Sequence, residues 1–379
     1  MIHIAPSTIE QVLALTCAIQ QIPAPTFHEE KRAQFTMEEF QRLGLEEIQR
    51  DAAGNALGRL PCGRMPAVSG ERRRQPLVIS AHLDTVHPFG SALDLKRSRD
   101  RIAGRAVGDN SLGVAALLAI PALFKDRPEL NNREIWLAAN TGEEGLGDLR
   151  GMQAIVDRFG DRPAAYLVIE GMGLGNVLHR GLGVERYKVT ARTAGGHSWV
   201  DYGQPSAVHE LCRLVAELVD IPLPRRPATT FNVGVIHGGN SVNSIAAEAW
   251  CELDLRSEDA QALAGLVGSV HERVTAAARN SVQFTSEQIG KRLAGAIPED
   301  HHLVKMACGV LRELGVEPRM DIASTDSNLP LSRGFPSICI GITHGYNAHT
   351  ADEFILTEPV ETGLLQLFEI TARLCQLPY

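Results

Sequence analysis

The chain has 379 residues, 44% hydrophobic and 22% charged, which is room for two domains and too apolar for wholesale disorder. Thirty-seven basic against 45 acidic residues leave a formal charge of −8, and only 5% are aromatic, so neither a basic face nor a base-stacking platform for nucleic acid is expected. Seven scattered cysteines (Cys17, Cys62, Cys212, Cys251, Cys308, Cys339 and Cys375) form no C-x-x-C pair and read as reduced thiols. At the start, Met1-Ile2-His3-Ile4-Ala5-Pro6 lacks the basic and apolar regions of a leader peptide. Ser7-Thr8-Ile9-Glu10 then reads as a capping box opening a helix to about Gln21. A second helix is expected from about His28 to Leu43, with Ala33, Met37 and Phe40 on one face and Gly44 as its stop. Pro61 to Pro76 is a loop rich in Gly, Pro and Arg.

Four short apolar runs read as buried strands: Leu77–Ala81, Ile135–Ala138, Tyr166–Ile169 and Ile338–Gly341. Helical segments fall between them, at 111–124, 151–159, 302–314 and 359–377. The most apolar of these, Gly113 to Phe124, is interrupted by Pro121 and short for a bilayer. Buried strands alternating with helices predict an α/β fold, a mainly parallel sheet covered on both faces. The middle of the chain reads differently. Strands at 185–193, 231–237, 247–255 and 282–285 enclose a helix opened by Pro205 (stripe Val208, Leu211, Val215 and Leu218) and another at 260–278. That βαββαβ order matches a ferredoxin-like α+β unit. The expected organisation is therefore a small domain, 183–291, inserted into a larger α/β domain made of 1–182 and 292–379. A soluble, cytoplasmic protein follows, with a small-molecule partner and no membrane or nucleic-acid partner.

Several carboxylates and histidines follow the predicted strands. His82 and Asp84 are two apart at a strand end and share a face. Asp84 is placed either to hold the second ring nitrogen of a ligating imidazole or simply in a surface loop. Asp109, in Gly108-Asp109-Asn110-Ser111, is either functional or a cap for the helix behind it. Glu143 and Glu144 sit between glycines after an apolar strand. On extended backbone they would point opposite ways, one to a metal and one to its water; the alternative is an acidic turn. Glu170 ends a buried strand, where a bare charge is costly unless paired or metal-bound. His349 lies in the late run His349-Thr350-Ala351-Asp352-Glu353. In an open α/β sheet the ligand crevice lies beyond the carboxyl ends of the strands, where His82, Glu143, Glu144, Glu170 and His349 would meet. Two imidazoles with several carboxylates suit zinc, and one carboxylate bridging two metals about 3.5–4 Å apart would use the whole set.

The order H-x-D, G-D-N, G-E-E, strand-end Glu and H-T-A-D-E resembles the co-catalytic zinc hydrolases, a family including peptidase T, carboxypeptidase G, aminoacylase, acetylornithine deacetylase and succinyl-diaminopimelate desuccinylase. The resemblance covers nearly the whole chain. It implies two zinc ions, replaceable by cobalt or manganese. One would be held by His82 and Glu170, the other by Glu144 and His349, with Asp109 between them. It further implies Glu143 as general base, Asp84 orienting His82, a cis Asp109–Asn110 peptide and a homodimer through the inserted domain. His197, in Ala194-Gly195-Gly196-His197-Ser198, looks like the family histidine that reaches the partner subunit's active site. Asn243 and Arg256 look like substrate contacts, and the loop Ser324–Asn328 like a family loop near the metals. The sequence around Asp109 and Glu143 is most similar to peptidase T, whereas Glu170 is the residue type of the carboxypeptidase and deacylase branches. The activity expected is cleavage of di- or tripeptides. An N-acyl-amino-acid deacylase or carboxypeptidase is the alternative, and a catalytically silent binding protein is the rival of another class.

Overall fold

The structure, a computed structural model, describes residues 4–61, 75–125, 127 and 132–377. Cys62, Met1–His3 and most of the loop between Pro61 and Pro76 lie outside the described residues. The chain divides into two compact units, Met1–Gly181 with Gly295–Tyr379, and Leu182–Ala294.

The first unit is built on a nine-stranded sheet. Its centre is parallel: Ile135–Asn140, Leu77–His82, Ala165–Met172 and Ser337–Thr343 lie side by side in that order. These are the four apolar runs of the sequence. They are legible as strands because covering a parallel sheet on both faces removes the need for polar alternation. The flanks are mixed. Ala56–Leu60 and Glu46–Arg50 add antiparallel strands at one edge. Asn176–Gly181 pairs antiparallel with Ser337–Thr343, then carries Gly295–Ala296 antiparallel and Arg319–Ala323 parallel. Gly181 and Gly295, the last and first residues of the two segments of this unit, are direct partners in that ladder.

The helix Gly113–Phe124 packs into the core with nine of its residues buried. Each fully buried Val, Leu or Ile there contributes about 1.5–3 kcal/mol. With the turn Val107–Leu112 ahead of it, the helical run is 18 residues long. By length and composition that would cross a membrane, but 78% of it is buried inside the protein, as befits a core helix. Pro121 is accommodated inside this helix. The capping box expected at Ser7 does not form: Pro6 takes the first helical position, Ala5 is the N-cap, and no side chain caps the helix Pro6–Gln20. Proline's fixed φ suits that first position, and the N-cap lies two residues ahead of the expected Ser7. The second helix is Glu30–Arg42, and Gly44 beyond it takes φ +76°, as expected of a stop.

The second unit is a βαββαβ chain: Gly183–Arg192, Ala207–Val219, Thr229–Gly238, Glu248–Ser257, Ala260–Ala277 and Gln283–Arg292. Its four strands are antiparallel in the order third-numbered Glu248–Ser257 between Thr229–Gly238 and Gly183–Arg192, with Gln283–Arg292 on the far side. Both helices bury one stripe, Leu211, Leu214 and Leu218 from the first and Leu263, Leu266, Val270 and Val274 from the second. Leu214 replaces the expected Val208 and Val215 at the centre of the first stripe; those two are only partly buried. The last strand runs to Arg292, well beyond the four residues expected from its apolar part. Its mostly exposed edge position hides it from an apolar reading.

Candidate metal centre

His82 is the last residue of a central strand and is buried. Its Nδ1 lies 3.1 Å from the main-chain carbonyl oxygen of Asp84. A carbonyl oxygen only accepts, so Nδ1 donates there and Nε2 is the ring nitrogen turned to the crevice. Nε2 lies 3.1 Å from Asp109 Oδ1 and 3.5 Å from Glu170 Oε2. The carboxylate of Asp84, expected to orient the ring, stands 3.5 Å from Nδ1. It also serves the neighbouring loop: its oxygens accept the N–H groups of Glu143 and Glu144, each at 2.9 Å, and the Thr26 hydroxyl at 2.9 Å. The ring thus has both the Asp84 carbonyl and the Asp84 carboxylate beside Nδ1, and the same carboxylate fixes Glu143 and Glu144.

Those two glutamates reach the same crevice from a glycine-flanked turn. Gly142 turns at φ +68° and Gly145 at φ +53°, and Glu29 accepts the Gly142 N–H at 3.1 Å. A Cβ on Gly142 would press into the Arg150 side chain at 2.7 Å, so the turn needs glycine for space as well as φ. As a result Glu143, Glu144 and His82 each offer an atom within 4.8 Å of the others.

Asp109 lies at the mouth of the core helix but does not cap it. Asp109 and Asn110 are non-helical, joined by a cis peptide, and no side-chain cap is made. The Asn110 amide instead donates to Ile169 O at 2.9 Å and accepts the Gly171 N–H at 2.8 Å, tying the turn to the strand that carries Glu170. A side chain on Gly113 would collide with Asn110, so that approach requires glycine. Held this way, Asp109 reaches in two directions. Oδ1 faces His82, and Oδ2 lies 3.0 Å from His349 Nε2. His349, at φ +66° on a half-exposed loop position, also faces Glu144 Oε1 at 3.2 Å. Yet Glu144 Oε1 is buried and makes no hydrogen bond. An orphaned oxygen close to an imidazole nitrogen is the geometry of two ligands facing one point.

Three overlapping groups result: His82, Glu143 and Glu144; His82, Asp109 and Glu170; Asp109, Glu144 and His349. The structure therefore brings together every residue the sequence put forward as a ligand. The electrostatics fit cations. Burial, reinforced by the charges of Asp109 and Glu143, pushes Glu144 up to about 7; burial does the same to Glu170 against the pull of His82. The carboxylates of Asp109 and Glu144 beside it raise His349 to about 10. Burial opposes charging His82, but Glu170, Asp109 and Asp84 outweigh it and lift it well above the usual range. Burial likewise works against an ionised Asp109, and the two histidines hold it well below the usual carboxylate range. So many carboxyl groups in one buried crevice call for positive charge.

Three buried groups had been given no role of their own from the sequence. Glu353, four residues after His349, accepts the N–H groups of Ala106 (3.0 Å), Gly108 (2.7 Å) and Asp109 (2.9 Å). Asp326, in the loop Ser324–Asn328, is fully buried and accepts from Asn140 at 2.7 Å; burial, with Glu143's charge, pushes it well above the usual range. Arg32 is buried and donates to Ile22 O and Leu83 O at 2.8 and 2.9 Å. A buried charge in a polar-looking helix was the available signal for Arg32; the other two bond mainly to backbone and amide groups that no side-chain pattern reveals.

The remaining candidates belong to the second unit. His197 and Asn243 are brought together there, in a two-stranded ribbon pairing His197 with Ser244, and the Asn243 carbonyl accepts the Ser198 N–H at 3.0 Å. The N–H groups of Trp199 and Val200 point at His197 Nδ1 at 3.2 and 3.3 Å, which leaves Nε2 as the protonated outer nitrogen. Arg256, on the strand Glu248–Ser257, is engaged by Asp254 through contacts of 2.6 and 3.2 Å.

The family model described as peptidase family M20/M25/M40 matches residues 78–376. The chain is 26% identical over 304 residues to the cytosol non-specific dipeptidase of Escherichia coli, covering 71% of this chain and 58% of that protein. It spans between about half and three quarters of the length of the first curated relatives it matches. A tripeptidase from Staphylococcus aureus superposes with a TM-score of 0.79 at 20% identity, over 97% of this chain and 99% of the other. A Bacillus subtilis protein described as a dinuclear metal-binding peptidase superposes at 0.68 with 13% identity, over 97% and 99%. At these identities the two superpositions speak for the fold.

Proposed function

The chain belongs to peptidase family M20/M25/M40, and on that premise we propose that it is a two-metal hydrolase of amide bonds in di- or tripeptides. The observation that carries this reading is Asp109, whose two oxygens face two different imidazoles, each flanked by its own second carboxylate. His82 and Glu170 would hold one divalent cation and Glu144 and His349 the other, zinc by ligand type, with Asp109 shared. Such a pair supplies an acidified water and polarises the scissile carbonyl.

The chain's own residues supply the rest. Asp84 and Glu29 fix the turn that carries Glu143. Glu143 takes the proton from the attacking water at its carboxylate and returns it to the amine nitrogen as the C–N bond breaks. His197 Nε2–H is a donor for the carbonyl oxygen as negative charge grows there, acting in the partner subunit of a homodimer. Asn243 and Arg256 contact the substrate. The dimer is supported by an exposed edge strand, Thr229–Gly238, and by the exposure of Trp199 and Tyr202 beside His197. The proposal includes a cytoplasmic setting.

Glu170 favours a second reading, a carboxypeptidase or an N-acyl-amino-acid deacylase of the same chemistry. Metal reconstitution followed by a panel of tripeptides, dipeptides and N-acetyl amino acids separates them. Turnover of tripeptides supports the first reading, turnover of N-acetyl amino acids alone supports the second, and turnover of none sinks both.

A further inference from the structure

Glu353 is fully buried, although it lies on the segment that carries half-exposed His349. Its side chain accepts no side-chain donor in the hydrogen bonds above; it spends both oxygens on backbone. Oε1 accepts Gly108 and Asp109 N–H at 2.7 and 2.9 Å, and Oε2 accepts Ala106 N–H at 3.0 Å. Ala106 takes φ +58°, so the three amides converge in a turn that a continuous helix would not form. The partners are some 245 residues apart in sequence.

We infer that Glu353 is the positioning residue for Asp109: a carboxylate clamp that sets the turn Ala106–Asp109 so that one side chain can face both His82 and His349. This rests on the two-metal reading above and goes beyond it, because it assigns the geometry of the shared carboxylate to a residue that contacts neither imidazole. The same short segment, His349 to Glu353, then presents a ligand to Oδ2 of Asp109 and grips the backbone behind it. The Gly104 N–H donates to the Glu353 carbonyl at 2.8 Å, which adds a backbone tie to the same turn. Gly108 leaves no slack, since a Cβ there would meet Met172 Cγ at 2.6 Å and Ile355 Cγ2 at 2.8 Å. Three backbone amides converge on its two oxygens, so the carboxyl group joins the segment carrying His349 to the turn carrying Asp109.

The test is zinc titration calorimetry on the full chain after chelation and dialysis, with thermal unfolding of the metal-free proteins alongside. Glu353→Gln keeps the shape and loses the charge; Glu353→Asp keeps the charge and withdraws it by one methylene. Support for the clamp is that both variants bind both zinc equivalents about 10–100-fold more weakly, the usual cost of losing an outer support, while unfolding in the metal-free state at the wild-type temperature. If Glu353→Asp binds both equivalents as tightly as wild type, the carboxylate acts by charge alone and the clamp is wrong. Wild-type affinity in both variants overturns any role at the centre. Failure of wild type itself to bind zinc would instead overturn the two-metal reading, which keeps the two failures apart. Should Glu353→Gln not fold, the Glu353→Asp titration decides.

Discussion

Both units bury carboxylates, and they treat them in opposite ways. In the second unit the buried Glu210 is met by Arg213 at 2.6 Å and Arg279 at 2.7 Å, and Asp254 by Arg256 and Arg186. Burial works against their ionisation there, yet the arginines hold both below the usual carboxylate range. In the first unit Glu144, Glu170 and Glu353 are pushed up to about 7, chiefly by burial and then by neighbouring carboxylates. A buried carboxylate alone is therefore no sign of function. One that faces other carboxylates, with imidazoles between them, is.

The widest test of that contrast is Glu143→Ala. It should lower kcat by about 10²–10⁴-fold with two metals still bound, as peptide hydrolysis and metal analysis of one preparation would read; persisting activity would remove Glu143 as base. Next, Asp109→Ala should weaken both metal equivalents by about a hundredfold or more, at least the upper cost of an outer support, whereas His349→Ala should weaken one. A single lost equivalent in both variants would break the shared-carboxylate geometry. Chelation comes third. With free metal a thousandfold above its Kd, binding adds about 4 kcal/mol, so thermal unfolding of the stripped protein should fall by several degrees and recover on adding zinc.

The smallest effect is in the second unit. Glu210's pKa is lower folded than unfolded, so its contribution is present above the unfolded value near 4.5 and is lost as pH falls through the folded value. The arginines are largely exposed, which caps the pair at about 1 kcal/mol. Glu210→Gln should then narrow the gap in denaturant midpoint between pH 6 and pH 3; an unchanged gap would mean the carboxylate is balanced elsewhere.

What the sequence made legible follows from the same physics. Runs such as Leu77–His82 and Ser337–Thr343 are mostly apolar, and every residue in them is buried, because both faces are covered. Edge strands Glu46–Arg50 and Arg319–Ala323 carry charge and stay exposed, so they look like loops. At the site, residue types and their position after strands put forward the side chains that converge. The grip of Asp84 on the Glu143 turn and of Glu353 on the Asp109 turn was hidden because the partners are amide N–H groups, which nearly every residue has.

Gly181 and Gly295 stand opposite each other in one antiparallel ladder. The excursion Leu182–Ala294 thus departs and returns through a gap no wider than one rung, occupying the place of a hairpin turn. Loop length costs little once the ends are fixed, so the sheet beneath the candidate metal centre is indifferent to how much chain is looped out there. Whatever hangs from that rung is free to be enlarged, trimmed or exchanged without the strand ends at the crevice being redrawn.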